Sequence, residues 1–442
     1  MKHNDYEILR CSSKAASLLF VLGMFSVTQI TIVGKIGISE FLMCIVAPFV
    51  YMKNQLLYRQ DKVNTILILA FLWCAGTIVA DSFAGTPFVI GIKGLATPAV
   101  VLAMLICIYP LLRKNPDGLK WLVCGFAVSM IINIFIFQPG GAGNYAAEYG
   151  LAAGAASVME YKLFWVQRAD AVLGSAVRGW YMNLPVGISI MILTLIAGVA
   201  LYVGGRSAFF MPCVSLVLVL IMGRNVFKMK SMRRYSMRIL LIFMLASLGA
   251  FYGYKMLTIY GVGMKDAEHE RERAVKQGDK NVKNKILALL MGGRAEVFIG
   301  LIAAFDKPII GHGTYAADTK GYRQDFMLKY GNEDDIKLIN NMIQSGNLYR
   351  IPAHSHIVQS WMCHGVFGLM FWLYVIVLLV NTLRLRMGVI PQYFGYLAME
   401  LPAAAWNIPF SPFGNRPFMV TLICVALLLR AIDNDNKRML RR

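Results

Sequence analysis

The chain has 442 residues, of which 57% are hydrophobic and only 15% charged, with a net charge of +20. Soluble globular chains are about half apolar and about 25% charged. The apolar excess here comes in long runs. That pattern identifies a polytopic membrane protein and excludes a secreted disulfide scaffold, a disordered chain and a cytosolic enzyme. The basic excess is compatible with nucleic acid, anionic lipid, an anionic substrate or membrane topology, and the distribution of the charges has to decide among them.

A bilayer is crossed by about 20 apolar residues. In chain order the candidate spans are 15–33, 36–52, 63–81, 88–112, 120–137, 180–203, 207–223, 238–254, 355–380, 388–406 and 417–432. The runs are continuously apolar rather than alternating, so they predict helices and not a closed β-barrel. The eight cysteines form no C-x-x-C pair, and seven of them lie in apolar runs, so they read as small buried hydrophobes. The polar stretch Met1 to Lys14 is followed by an apolar run long enough to span and by no A-x-A-like cleavage site, which predicts a first helix that is retained.

The stretch 224–238 holds Arg224, Lys228, Lys230, Arg233, Arg234 and Arg238 and no acid. Together with 53–62, 113–120 and the C-terminal tail it reads as cytoplasmic. Both termini are then inside and the number of spans is even. The eleven candidates therefore imply one more span between 138 and 178, and the weakly apolar 146–166 is the best candidate, for twelve in all. Most of the net charge thus reports orientation and contact with the anionic inner leaflet, and gives no ground for nucleic acid binding.

The expected organisation is nine transmembrane helices within 1–254, an outer hydrophilic segment at 255–353, and C-terminal helices with a cytoplasmic tail over 354–442. The outer segment is far longer than an ordinary connection and carries 15 basic and 12 acidic residues, so a functional role is expected of it. Within it, 294–305 (RAEVFIGLIAAF) places Val297, Phe298, Leu301, Ile302 and Phe305 at helical spacing. Such an amphipathic helix can lie on the membrane or on the bundle. Pro308, Gly311 and Gly313 then mark a turn.

Several residues could carry chemistry. Glu40 and Glu400 are the main acids within the spans, and their places near span ends suggest snorkelling to the interface. Arg206 in VGGRSAFF and Arg294 in MGGRAEVF each follow a glycine pair at an outer helix mouth. Arginine grips phosphate oxygens bidentately and keeps its charge, and glycine lets a large anion approach the backbone. Anchoring at the interface would use the same residues. His354, His356 and His364 cluster where the outer segment meets the span at 355. His354 and His356 are two residues apart, no carboxylate cluster adjoins them in sequence, and a metal is not expected. His364 lies in an apolar run and reads as a core histidine. A histidine at the outer edge of the membrane suits a general base acting on a hydroxyl.

These residues resemble the O-antigen ligases and the related Wzy-type O-antigen polymerases. The ligase signature H-[NSQ]-x9-G-x-x-[GTY] is matched by His354, Ser355, nine residues, Gly365, Val366, Phe367 and Gly368. GGRSA around Arg206 resembles that family's serine–arginine helix mouth. The Arg294 helix followed by KPIIGHGTY resembles its arginine helix and P-x-x-G-x-G turn. The similarity covers about residues 200–370. A further outer arginine of the family, before a proline–asparagine step, has only Arg168, Arg178, Asn183 and Pro185 here, in a different order.

The resemblance implies an all-α, GT-C-like bundle of about 12 spans in a bacterial inner membrane, with its active site on the periplasmic face. It implies transfer of a glycan from undecaprenyl pyrophosphate to lipid A–core, with inversion and with neither metal nor cofactor. His354 would be the base, Arg206 and Arg294 would bind the pyrophosphate, and Ser355 and His312 would join them in the substrate site. The full histidine signature points to a ligase. A polymerase joining lipid-linked repeat units is the alternative. A transporter without chemistry would predict inverted repeats, and the sequence holds no internal repeat.

Overall fold

The computed structural model describes residues 12–26, 29–31, 35–136, 285–331, 350–384, 393–411, 413 and 416–439. The expected spans at 146–166, 180–203, 207–223 and 238–254 lie outside these residues. The described residues are predominantly helical, and five helices are long and apolar enough to cross a membrane. The protein is an all-α, multi-pass membrane protein.

The chain opens with α1 (Ser13–Ser26) and an antiparallel hairpin of β1 (Gln29–Thr31) and β2 (Lys35–Gly37). This corrects the expected span 15–33. The helix has 14 residues, about 21 Å. Beyond it, β-branched Ile30 and Thr31 pair as strand with Ile36 and Lys35. α1 packs on α5 (Leu119–Ile136) where Gly23 meets the Leu122 carbonyl and Gly125 meets the Phe20 carbonyl, close enough that neither position has room for a Cβ.

α2 (Ile38–Gln60), α3 (Asn64–Ala84) and α4 (Phe88–Lys114) follow. Each corresponds to an expected span. α2 runs eight residues past the apolar stretch that predicts it, across a kink at Asn54 (φ −119, ψ 18). α3 ends on Gly85 in the left-handed region, whose N–H reaches the Asp81 and Ser82 carbonyls. The core is built on α4, buried almost throughout from Val100 to Pro110, and on α10 (Arg416–Met439), buried from Pro417 to Leu429. α2 lies at the periphery and exposes Leu42, Ile45, Phe49, Met52 and Leu56.

Polar contacts sort to the two ends of the bundle. At one end Asp61 accepts from Tyr109 Oη at 2.6 Å and from Arg113 Nε at 2.9 Å, and Arg113 also reaches Asp435 at 2.6 Å. Tyr393 Oη donates to the Pro116 carbonyl there. This end gathers the basic segments 53–62 and 113–120 with the last helix. At the opposite end Ser26 meets Ser39, and Arg416 donates to both oxygens of Glu40 at 3.2 and 2.9 Å. Glu40 is 1% exposed and also accepts the Gly37 N–H. Its carboxylate is therefore buried and paired, not snorkelling, as a charge away from water requires.

α6 (Lys285–Asp306) and α7 (Tyr322–Tyr330) belong to the hydrophilic segment. α8 (His356–Arg384) and α9 (Phe394–Phe410) precede α10. α8 is one run of helix only in name. Gly365 stands at φ +65, ψ −154, and the limbs 356–364 and 366–384 fold against each other there. The rings of His356 and Trp372 are 5.0 Å apart, and Trp372 Nε1 donates to Ser360 Oγ at 2.8 Å. A straight helix would separate residues 12 apart by about 18 Å. The limb after the bend, 366–384, is about 28 Å long, and the expected span 355–380 contains the bend. Gly365 has no room for a Cβ against the Ile309 carbonyl, nor Gly368 against the Ser360 carbonyl. This is the physical content of the G-x-x-G pair.

Gly365→Ala combines left-handed strain of about 1–3 kcal/mol with a backbone collision. Gly85→Ala has φ +63 but nothing within 4 Å, and so carries strain alone. Thermal unfolding of the detergent-solubilised protein is expected to show the larger loss for Gly365→Ala.

Candidate active site

The site begins with a break in a helix. α6 departs from helical geometry at Arg294 (φ −143, ψ 33), directly after the Gly292–Gly293 pair. Glycine pairs are a common cause of such kinks. Arg294 therefore does not start the helix, as the sequence suggests. It sits at the joint of two limbs. Its guanidinium lies over the Trp406 ring of α9, 5.4 Å from the centroid.

Past the joint, α6 turns its small residues inward. Val297, Ile299, Gly300, Ala303 and Ala304 are buried, while Ile302 and Phe305 are 45% and 65% exposed. Of the bulky residues at helical spacing, Val297 and Phe298 pack inward, while Ile302 and Phe305 point outward. The small residues permit close packing: a Cβ at Gly300 would lie 2.9 Å from both the Pro352 carbonyl and the Ala353 side chain. The chain leading into α8 thus crosses α6 at Gly300. One helical turn earlier on α6 stands Glu296, and the crossing brings His354 to it.

His354 Nδ1 and Glu296 Oε2 are in direct contact. The other carboxylate oxygen, Oε1, lies 3.6 Å from Arg323 Nη2 on α7. α7 is held by Asp318, which accepts the Tyr322 and Arg323 N–H groups, and by Tyr322 Oη donating to Asp306 at 2.7 Å. The Glu296 and His354 side chains are 35% and 36% exposed. Burial raises the Glu296 carboxyl, but contact with His354 and the charges of Arg323 and Arg294 outweigh it, and the net shift is downward. Glu296 is a carboxylate at neutral pH. Arg294 and His354 are both tied to it electrostatically.

The other expected site residues are placed differently. Ser355 is fully buried. Its Oγ donates to the Ile408 carbonyl at 3.0 Å and accepts the Val358 N–H at 3.1 Å, the geometry of a helix N-cap. His312 is 9% exposed, bonds the Ala303 carbonyl through Nε2 at 2.8 Å and stands edge-on to Tyr322. The structure gives both of them protein partners in place of an open substrate position. His356 packs among Trp372 and Phe413. His364 is a core histidine whose Nδ1 accepts from Trp73 Nε1 at 2.8 Å. Arg206, Arg168 and Arg178 lie outside the described residues.

The turn after α6 plugs the bend of α8. The His312 and Gly313 N–H groups donate to the Met362 and Cys363 carbonyls, and the Val366 N–H donates to the Ile309 carbonyl. Asp81 of α3 fixes the far side of the turn, accepting from Thr314 N at 2.6 Å and Thr314 Oγ1 at 3.0 Å. Sequence reasoning missed two acids, Glu296 and Asp81. The one local signal for Glu296 is its place two residues after Arg294. Comparisons of the chain with protein-family models and with curated proteins find no match.

Ser355→Ala is expected to cost about 1 kcal/mol of stability through the lost cap. Donor binding, measured on the purified protein, is expected to stay unchanged. His312 supplies a pH test. Burial lowers its pKa, against the opposing bond to Ala303 and with help from Lys307. The neutral ring is thus favoured by the fold. Its stabilising contribution is complete above the ordinary histidine value of 6.5 and is lost as pH falls from there towards the lowered folded value. Amide exchange across 308–316 is expected to accelerate as pH falls below about 6.5. His312→Gln is expected to flatten that dependence.

Proposed function

We propose that this protein is a membrane glycosyltransferase of the O-antigen ligase type. It moves a glycan from undecaprenyl pyrophosphate to the lipid A–core oligosaccharide at the periplasmic face of a bacterial inner membrane, within a GT-C-like bundle of about twelve spans and with both termini cytoplasmic. The observation that carries the reading is the contact of His354 with Glu296, two residues from Arg294, although 58 positions separate the pair in the chain. Support also comes from the histidine signature, whose glycines have a definite job at the bend of α8. The same signature favours ligase over polymerase.

The chemistry asks for a base on the acceptor hydroxyl and for charge stabilisation on the leaving group. His354 presents Nδ1 to the protein, which leaves Nε2 to take the hydroxyl proton. The hydroxyl oxygen bonds the anomeric carbon from the face opposite the pyrophosphate, and configuration inverts. The bond from that carbon to the phosphate oxygen breaks, and its electron pair stays on undecaprenyl pyrophosphate. Arg294, steadied by the Trp406 face, and Arg206 hold that anion.

Deleting the gene in its host and examining lipopolysaccharide on a gel tests this. A ligase null leaves core alone, and a polymerase null leaves core with one repeat. His354→Ala, Arg294→Ala and Arg206→Ala are each expected to fail to restore the capped ladder while reaching wild-type membrane levels. Full rescue by all three would overturn the assignment.

A further inference from the structure

Resting on the reading of His354 as the base, we propose that Glu296 is its positioning residue, held in place by Arg323. Three separate elements build this arrangement: α6 supplies the carboxylate, the segment leading into α8 supplies the imidazole, and α7 supplies the guanidinium.

The division of the carboxylate is the central point. Oε2 takes the imidazole Nδ1 and Oε1 faces the guanidinium, so neither contact competes with the other. The backbone of His354 is fixed on both sides, by Ala353 against Gly300 and by the Ser355 cap. The ring of a half-exposed histidine can still turn about its side-chain bonds. Glu296 removes that freedom and selects the tautomer with the proton on Nδ1. Nε2 is then the acceptor in the resting protein, and the carboxylate neutralises the charge that the ring gains during transfer. The lowered pKa of Glu296 agrees with a permanently ionised partner. Arg323 prevents the carboxylate from following the ring, because it anchors the second oxygen from a helix tied to Asp306 and Asp318.

The test uses the full-length protein in nanodiscs, an undecaprenyl-pyrophosphate-linked glycan and a lipid A–core acceptor. Glu296→Gln is expected to lower kcat by about 10²–10⁴-fold while KM and donor binding stay within about 2-fold. Glu296→Asp is expected to recover part of the rate. His354→Ala/Glu296→Gln is expected to be no slower than His354→Ala alone, because two groups acting as one unit are not additive. Arg323→Gln serves as a second probe should Glu296→Gln fold poorly, and a smaller loss confined to kcat is expected of it.

Wild-type kcat in Glu296→Gln, or a loss that appears in KM or donor binding instead, would overturn the proposal. So would a double variant slower than His354→Ala by the full factor of the glutamate change. Should His354→Ala itself turn over normally, the base assignment falls, and Glu296 loses its role with it. An inactive His354→Ala beside an active Glu296→Gln sinks the positioning role alone.

Discussion

The left-handed bend at Gly365 is the constraint on which the described site depends. A helix that breaks inside an apolar bundle leaves carbonyls without their intrahelical donors, and an unsatisfied backbone group there costs several kcal/mol. The turn at 308–314 supplies the missing partners, with two N–H groups onto Met362 and Cys363 and one carbonyl onto Val366. The break and the turn therefore stabilise each other. Through that exchange α6 becomes part of the bundle, and Arg294 and Glu296 reach a fixed position relative to His354.

The ends of the bundle show how the charges are used. At the end that collects 53–62 and 113–120, Arg113 meets the buried Asp61 and the partly exposed Asp435. At the other end the Glu40–Arg416 pair is enclosed, and breaking it would leave a buried charge. It joins the start of α2 to the start of α10. Among the described residues of the hydrophilic segment, acids pair with nearby bases. Asp306 binds Lys320, and Glu296 binds His354 and Arg323.

Long apolar helices were legible because burial in lipid demands an uninterrupted run. α2, α3, α4, α5 and α10 lie where hydropathy puts them, and their polar extensions were not visible because hydropathy reports side chains, not hydrogen-bonded backbone. The first span was misread since β-branched residues look alike in a strand and in a membrane helix. The bend in α8 was hidden because averaging over apolar residues passes through a glycine unnoticed. The inward face of α6 was only partly legible because Gly300, Ala303 and Ala304, which help to make it, contribute little to amphipathicity but permit close approach. Arg294 and His354 were nominated as candidates by their types and surroundings. Glu296 was not, because what distinguishes it from any other surface acid is a partner 58 positions away.

The folded-back limb of α8 also acts as a ruler. Residues 356–364 make two and a half turns between a cap fixed to α9 and a bend fixed to the turn after α6. Each residue added or removed would rotate one end against the other by about 100°. Ser355 would then point away from Ile408, and the histidine ahead of it would leave its carboxylate. Side chains along this limb are thus freer to vary than its length. Drift in composition can preserve the site, whereas a single-codon insertion or deletion would dismantle it.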